Sequence, residues 1–364
     1  MAVQIYQQRR DMINGGSGFY FGPAGTGKTY ALKNEIEHVL ENTEGTVFVI
    51  SKSGEFNELV DKYEGLVIDP IKTPLNPLII QDACEMSEQD VVFLSKIKFG
   101  LARLLVETKL PKLTSLQKYL IEQVLLKQCL ECGELDWNQF ALAFNNMIEA
   151  YASKKLAKKL DDVKASLNKV AAELNLEPVV SDNALLKDTF LEELKELAAA
   201  VSELNKLAEG KEQINTGSHR LVIYDISNVS REDTDKYSLM AIEDVWTRLN
   251  GRAPITGARL LIDDADHLFL RYDKYMAMMY KVSKSQGFVI TSVIEDTVTF
   301  LTKRLSFRKI SGYFEIFGHS MDKVEFLKPL FSLSPEDIEW LIKAPSGQKL
   351  VLCGGNRFLV KAVK

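Results

Sequence analysis

The chain has 364 residues, a net charge of −5, 46% hydrophobic and 26% charged side chains, 10 prolines and 21 glycines. That composition excludes collagen-like and long disordered tracts, and the length accommodates one large α/β domain or a core carrying an inserted subdomain. The negative balance excludes a global basic field, so any grip on nucleic acid would come from local basic patches.

The opening MAVQIYQQRRDMINGGSG has no apolar core of signal-peptide length, and no uncharged apolar run reaches the roughly 18 residues of a membrane span. The expectation is a soluble, cytoplasmic protein. Four cysteines (Cys84, Cys129, Cys132 and Cys353) are too few for a disulfide scaffold. Cys129 and Cys132 form a CxxC pair with no second pair at zinc spacing, so two thiols at a helix end is the preferred reading over a metal site.

From Gly18 to Ile80 short β-rich runs alternate with helical periods: GFYF, a helix from Lys28 to Glu41, TVFVIS, a helix from Glu55 to Tyr63, then GLVI. This is the rhythm of a parallel sheet. From about Gln81 to Gly217 only helix periods follow, rich in Leu, Lys, Glu and Ala, and they read as an inserted all-α subdomain. There Leu156, Leu160, Val163, Leu167 and Val170 share one face, and Lys154, Lys155, Lys158 and Lys159 load the helix start. A solvated face is preferred over a nucleic-acid patch.

The β/α rhythm returns with RLVIYDI, a helix over Arg231 to Leu249, ARLLIDD, a helix from Asp266 to about Ser283, and GFVITS. Three strands (GYFEIF, KLVLCG and RFLVKAV) and two helices near Met321 and Pro335 complete the chain. The predicted architecture is a P-loop NTPase core in two parts, 1–80 and 218–364, with a mainly parallel sheet, and the helical insertion at 81–217.

GPAGTGKT matches G-x-x-x-x-G-K-[ST], follows an apolar strand and opens a helix, the context that the motif requires. Glycines allow backbone angles that turn N–H groups inward around phosphate oxygens, and the helix start adds its positive end. The predicted nucleotide-binding run is Gly22, Pro23, Ala24, Gly25, Thr26, Gly27, Lys28, Thr29 and Tyr30. Lys28 would bridge the β- and γ-phosphates, and the Thr29 hydroxyl would complete a magnesium shell, so ATP and Mg²⁺ are the expected ligands.

A magnesium-side carboxylate belongs at the end of a second apolar strand, where LVIYD ends at Asp225 and LLIDD at Asp263. Asp263 is preferred because Asp264 follows at once, giving one acid for the magnesium shell and one to activate the attacking water. Either acid could instead cap the helix that starts near Ala265.

The ordered series of segments resembles the large conjugative-transfer ATPases of type IV secretion systems, within the wider group of hexameric DNA- and protein-pumping motors with a RecA-like core. The likeness runs from Gly18 onward. SGFYFGPAGTGKTYALKNEI stands for the family's first strand, loop and helix. VFVISKSGEFNELVDKYEGLVIDPIKTPLNPL stands for its second block, with an acidic turn at Glu55. LVIYDISN, IEDVWTRLN, LLIDDADHLF, GFVITSVIED and FLKPLFSLSPEDIEWLIKAPSGQKLVLCGGNRFLVKAV follow in the family's order. The resemblance implies nucleotide contacts from Glu55 and Thr291 and γ-phosphate sensing from Ser292. For Glu55 a helix-start acid favoured by the dipole is an equal alternative.

Asp264 stands for a glutamate, Ser292 for a glutamine, Ser51 for an aspartate and Ser283-Lys284 for an arginine-lysine pair, with Arg304 or Arg308 as candidate substitutes. Loss of a charge-stabilising arginine costs about 10³-fold or more in hydrolysis, so slow turnover is implied. The family's separate N-terminal domain has no counterpart ahead of Gly22, so a motor domain alone is expected. The implied function is an ATPase subunit powering DNA or protein transfer or channel assembly, homo-oligomeric and hexameric when active. Its implied partners are the secretion channel and coupling proteins at the inner face of the membrane. The alternatives are a catalytically weak nucleotide-held scaffold and a DNA-packaging or replication motor of the same superfamily.

Overall fold

The computed structural model describes residues 16–73, 75, 88–110, 112–132, 137–152, 185–208, 219–249, 257–304 and 306–360. Two compact units emerge, 1–73 with 214–364, and 74–213, where the sequence pattern had set its changes of character at 80 and 217. The segment from Lys154 to Val170, expected to be helical, and the side chains of Cys129 and Cys132 lie outside the described residues.

The first unit is built on one sheet. Its strands are β1 (Gly18–Phe21), β2 (Val47–Ser51), β3 (Leu66–Ile68), β4 (Leu221–Asp225), β5 (Arg259–Ile262), β6 (Val289–Ile294), β7 (Tyr313–Phe317), β8 (Lys349–Cys353) and β9 (Asn356–Val360). Among the described residues their order is β3-β4-β2-β5-β6-β1-β7-β8-β9. The pairs from β3 through β7 are parallel, and β8 and β9 add an antiparallel edge. Strands β5 and β6 thus lie between β1 and β2, and the chain leaves β1 to cross over both. In an open parallel sheet such a reversal of strand order places a crevice at the carboxyl ends of the strands.

The helices of this unit are α1 (Lys28–Asn42), α2 (Glu58–Tyr63), α7 (Thr234–Leu249), α8 (Asp266–Arg271), α9 (Asp273–Gln286), α10 (Thr297–Arg304), α11 (Phe307–Ile310), α12 (Met321–Phe331) and α13 (Pro335–Lys343). The second unit contains α3 (Glu88–Lys109), α4 (Ser115–Cys132), α5 (Trp137–Ala152) and α6 (Leu185–Ala208), which are its elements among the described residues. The core of this second unit includes Leu101, Leu105, Ile121, Leu125, Trp137, Phe140, Phe144, Leu194, Leu197 and Val201, all buried. No helix among the described residues is long and apolar enough to cross a membrane.

The strand period of two divides the sheet unit's core. On one face Tyr20, Val47, Val49, Leu221, Ile223, Leu261, Val293, Tyr313 and Phe317 pack with Ala31, Leu32, Ile36, Val39 and Leu40 of α1. Those α1 residues recur at the three- and four-residue spacing of a helix stripe, which is why this segment is helical and which face it buries. On the other face Phe19 and Phe21 enter an aromatic cluster with Phe269, Tyr280, Phe300, Phe307, Phe314 and Phe331. Each such buried ring contributes about 2 kcal/mol by leaving water, so β1 is anchored from both sides. At Gly18 a β-carbon would lie 2.5 Å from the Tyr313 ring, so glycine is required for this close approach.

A buried polar cluster around Glu35 lies within the first face. Glu35 of α1 accepts from Tyr20 Oη at 2.7 Å and Arg259 Nη1 at 2.6 Å, with Thr291 Oγ1 at 3.4 Å, and Thr291 shares a 2.6 Å hydrogen bond with Tyr313. Both charges are buried, so removing one strands the other in a medium of low dielectric. Arg259→Met is therefore expected to lower stability by about 3–5 kcal/mol, read as a fall in the urea unfolding midpoint. Arg259→Met with Glu35→Met is expected to restore most of it, and full additivity of the two losses would refute the coupling.

Candidate functional site

The phosphate-loop segment starts where β1 ends. Gly22 N donates to Ile294 O at 3.2 Å, splicing the loop to β6. Gly25 and Gly27 take φ of 79° and 93°, the left-handed region that side chains disfavour. At Gly27 a β-carbon would lie 2.5 Å from Gly347 N, so no other residue fits. The segment between α13 and β8 clamps the loop from outside: Gly347 N donates to Thr26 O at 2.8 Å and Ser346 Oγ to Gly25 O at 3.0 Å. Thr26 Oγ1 closes the loop on Pro23 O at 2.8 Å. Helix α1 begins here with no side-chain cap, so its first N–H groups and positive end belong to the loop.

A cleft of roughly 430 Å³ is lined by Ala24, Gly25, Gly27, Lys28, Thr29, Lys52, Ser53, Glu55, Asp263, Asp264, Glu295 and Ser346. Lys28 is buried, and its ammonium donates to Pro23 O at 2.8 Å and to Glu295 Oε1 at 3.2 Å. Asp263 follows β5 directly, held by its N–H to Ile50 O at 3.0 Å. Burial first, then the neighbouring charges of Asp264, Glu55 and Glu295, push its pKa up to about 6 against the pull of Lys28. Asp264 adopts φ of 49°, a left-handed turn that aspartate tolerates better than most residues, and its carboxylate accepts from Lys52 at 3.0 Å. The third acid of this run, Asp266, accepts from the backbone N–H groups of Glu295 and Asp296 at 2.9 Å each, and so fixes the exit of β6 beside that of β5.

Lys52 also donates to His267 Nδ1 at 2.8 Å. Burial, then the adjacent Lys52 charge, push the His267 pKa down to about 4, so the ring is neutral at ordinary pH.

Of the residues singled out in the sequence, the structure brings Ala24, Gly25, Gly27, Lys28, Thr29, Glu55, Asp263 and Asp264 to this cleft. Gly22, Pro23 and Thr26 shape the loop through the hydrogen bonds described. Tyr30 is half exposed on α1 and is not among the lining residues. Thr291 and Ser292 are not brought there. Both lie inside β6, fully buried, with Thr291 turned to Glu35 and Tyr313 and Ser292 Oγ accepting from Tyr280 Oη at 3.0 Å on the opposite face.

The residue that β6 delivers to the cleft is Glu295, just beyond its carboxyl end. Ser283 is buried against Ser17 at 2.8 Å, beside the amino end of β1 and so at the opposite end of that strand from the cleft. Arg308 lies over the Phe331 ring, and the Arg304 side chain is outside the described residues. Asp225 ends β4, accepts from Asn57 Nδ2 at 2.8 Å and is not among the lining residues.

Sequence reading missed Lys52, Ser53, Glu295 and Ser346. Glu295 could have been found by counting to the end of the apolar run VITSVI. Lys52 could have been found as the residue after the end of VFVIS. Ser346 comes from the far end of the chain, and nothing local marks it.

The donors present fit a magnesium nucleotide. The loop supplies glycine-freed N–H groups and Lys28 for phosphate, and Thr29 with Asp263 supplies hard oxygen for the cation. Among the described residues no group of three or more His, Cys, Asp or Glu forms a metal site by itself.

No protein-family model and no curated protein matches the chain. Solved structures do. VirB4 of Thermoanaerobacter pseudethanolicus superposes with a TM-score of 0.63 at 15% identity, covering 96% of this chain and 89% of that one. The bacterial conjugative coupling protein TrwB in its ΔN70 form, with sulphate, gives 0.56 at 13% identity over 98% and 87%. The plasmid coupling protein TrwB in complex with ADP and Mg²⁺ gives 0.54 at 13% identity over 98% and 87%. These are proteins of the conjugative secretion class that the sequence resembles, and at such identities the likeness is one of fold. The architecture is that of a RecA-like P-loop core.

The ion pair between Lys28 and Glu295 competes with any phosphate that needs the same ammonium. Glu295→Gln is expected to tighten binding of Mg²⁺ with a non-hydrolysable ATP analogue by about three- to fivefold, the scale of a half-exposed pair. Calorimetric titration measures it, and unchanged or weaker binding would count against the competition.

Proposed function

We propose that this chain is a motor subunit of a conjugative-transfer or type IV secretion apparatus that binds magnesium-ATP in the cleft and hydrolyses it. The observation that carries this reading is the convergence of Lys28, Thr29, Asp263 and Asp264 on one cleft at the carboxyl ends of β1 and β5.

The loop N–H groups between Gly22 and Thr29 would hold the phosphates, and Lys28 would exchange Glu295 for the β- and γ-phosphate oxygens. Thr29 and Asp263 would hold the magnesium ion, which supplies charge neutralisation on the phosphates when bound. Burial first, and then the neighbouring acids, raise the pKa of Asp263, and a cation bound there would favour the carboxylate form. Asp264 would orient the attacking water and accept its proton. Its carboxylate is one methylene shorter than a glutamate's, and its left-handed backbone presents it beside Lys52 instead of along the strand.

The fold resemblance supports assembly as a homo-oligomer, hexameric when active, with channel and coupling proteins as partners and DNA or protein as cargo. It supports a cytoplasmic position at the inner face of the membrane. A second reading, a nucleotide-held scaffold with little turnover, is favoured by the burial of Ser292, which puts no sensing side chain from that position in the cleft.

The experiment is steady-state phosphate release with Mg²⁺-ATP at low and high protein concentration, beside Lys28→Ala and Asp264→Ala. The expected outcome is turnover that rises with concentration, is lost in Lys28→Ala together with nucleotide binding, and is lost in Asp264→Ala with binding retained. Binding without turnover at every concentration would select the scaffold. Failure to bind Mg²⁺-ATP, with Lys28→Ala indistinguishable from the parent, would refute both.

A further inference from the structure

The cleft contains a second cation that belongs to no phosphate-loop motif. Lys52 follows the last residue of β2 and lines the cleft with Asp264 and Glu295. An ammonium carries three N–H donors and no acceptor. Two of the Lys52 donors are used, one on Asp264 Oδ2 at 3.0 Å and one on His267 Nδ1 at 2.8 Å. Among the described residues it has no third protein acceptor. Two fixed bonds orient the head, and the third donor is the one available to the cleft.

The groups that orient Lys52 are themselves held. His267 accepts at Nδ1, so its ring proton sits on Nε2, 3.3 Å from Asp235 Oδ1 and off the line of a straight hydrogen bond. Asp235 is buried and fixed by Arg271 at 2.6 Å and Tyr272 Oη at 3.3 Å. A lysine on an ordinary solvated loop would have neither a partly buried imidazole as acceptor nor a buried carboxylate behind that imidazole. The lysine stem is only 22% exposed, so little of its rotamer freedom remains to be lost when a ligand arrives.

Charge balance gives the cation its task. The lining residues include four carboxylates, Glu55, Asp263, Asp264 and Glu295, against Lys28 and Lys52. A nucleotide triphosphate adds further negative charge, and hydrolysis spreads it over the terminal phosphoryl oxygens. Arg308 lies over the Phe331 ring, and Ser283 is buried beside the amino end of β1.

We infer that Lys52 is a charge-stabilising cation supplied by the same subunit, held by Asp264 and His267 so that its remaining N–H meets the terminal phosphoryl group of the nucleotide. This rests on the nucleotide-binding reading of the cleft. In the step it serves, the water oxygen bonds to the γ-phosphorus as the bond from that phosphorus to the β–γ bridging oxygen breaks. The electron pair leaves on ADP, and the water proton passes to Asp264 and on to solvent. Lys52 takes no proton and changes no bond; it lowers the energy of the charge that develops.

The test compares the full-length parent, Lys52→Met and Lys52→Arg for binding of Mg²⁺-ADP, binding of Mg²⁺-ADP with aluminium fluoride, and steady-state phosphate release. The expected result for Lys52→Met is unchanged affinity for ADP, an affinity for the fluoride complex about a hundredfold weaker, and a matching fall in kcat with little change in KM. Lys52→Arg, which keeps the charge, is expected to recover most of both losses. Retained ADP binding shows that the variants are folded. Equal affinity of the parent and Lys52→Met for the fluoride complex, or a parent that gains nothing from fluoride, would overturn the assignment while leaving the nucleotide site standing. No binding of Mg²⁺-ADP by the parent would instead remove the reading on which it rests.

Discussion

The buried carboxylate of Glu35 ties the candidate site to the sheet. It lies on α1, the helix whose amino end forms half of the phosphate loop, and it is bonded to Tyr20 of β1 and Arg259 of β5, with Thr291 of β6 alongside. These are the strands that carry the other functional groups: β1 leads into the loop, β5 into Asp263 and Asp264, and β6 into Glu295. One carboxylate therefore sets the position of the helix start relative to three strand ends. An apolar contact would hold the helix down without fixing its rotation, whereas a bidentate set of directional bonds fixes both. The cost of burying the charge is offset by Arg259, and the pair is better understood as a device of register than as a source of net stability.

Beyond that anchor, the cleft is governed by unequal charges. Two lysines face four carboxylates in a partly desolvated space, and each lysine is already bonded to one acid: Lys28 to Glu295 and Lys52 to Asp264. These two pairs cross-link different exits of the sheet. The first joins the start of α1 to the exit of β6, the second the exit of β2 to that of β5. The clamp from Ser346 and Gly347 adds the strand pair at the far edge, since β8 follows that segment directly. A phosphate chain in the cleft would exchange the first pair for bonds of its own, so ligand occupancy and the relative freedom of the strand exits are linked by the same ammonium group.

How much of this was legible in the sequence depended on how local the physics is. The phosphate loop was legible because strand, glycines, lysine and helix start fall within one short run, and each requirement is met by a residue type in that run. Asp263 and Asp264 were legible because a carboxylate is costly inside a sheet core, so two acids directly after an apolar run mark the point where the strand leaves it. Thr291 and Ser292 came from resemblance, and the strand register shows why they stand apart from the cleft. Ser292 pairs with Ile262, a residue still inside β5, and β6 continues to Ile294 before the chain emerges. The alternation of a strand then turns Thr291 to one face and Ser292 to the other. Strand ends are weakly marked by pattern, and a shift of three residues separates a core hydroxyl from a group in the cleft. Ser346 was illegible for another reason: its contact with Gly25 depends on the antiparallel edge at β8, which brings the end of the chain back beside its beginning.

The third acid of LLIDDAD belongs to the same framework of strand exits. By sequence alone Asp266 is a helix-start residue and nothing more, and it does open α8. Its carboxylate also accepts from the two backbone N–H groups at the exit of β6, and burial raises its pKa despite those bonds. Asp266 therefore ties the exit of β5 to that of β6 through the main chain, so Glu295 is presented by a fixed backbone instead of a free loop. Lys28, which Glu295 holds, is positioned by α1, which Glu35 holds in turn. The position of the lysine is thus determined from two directions, by a buried ion pair under its helix and by an acid whose own backbone is bonded to the neighbouring strand exit. Two such constraints on one ammonium explain why a long, flexible side chain is buried at the mouth of a polar cleft, where solvation alone would favour its extension into water.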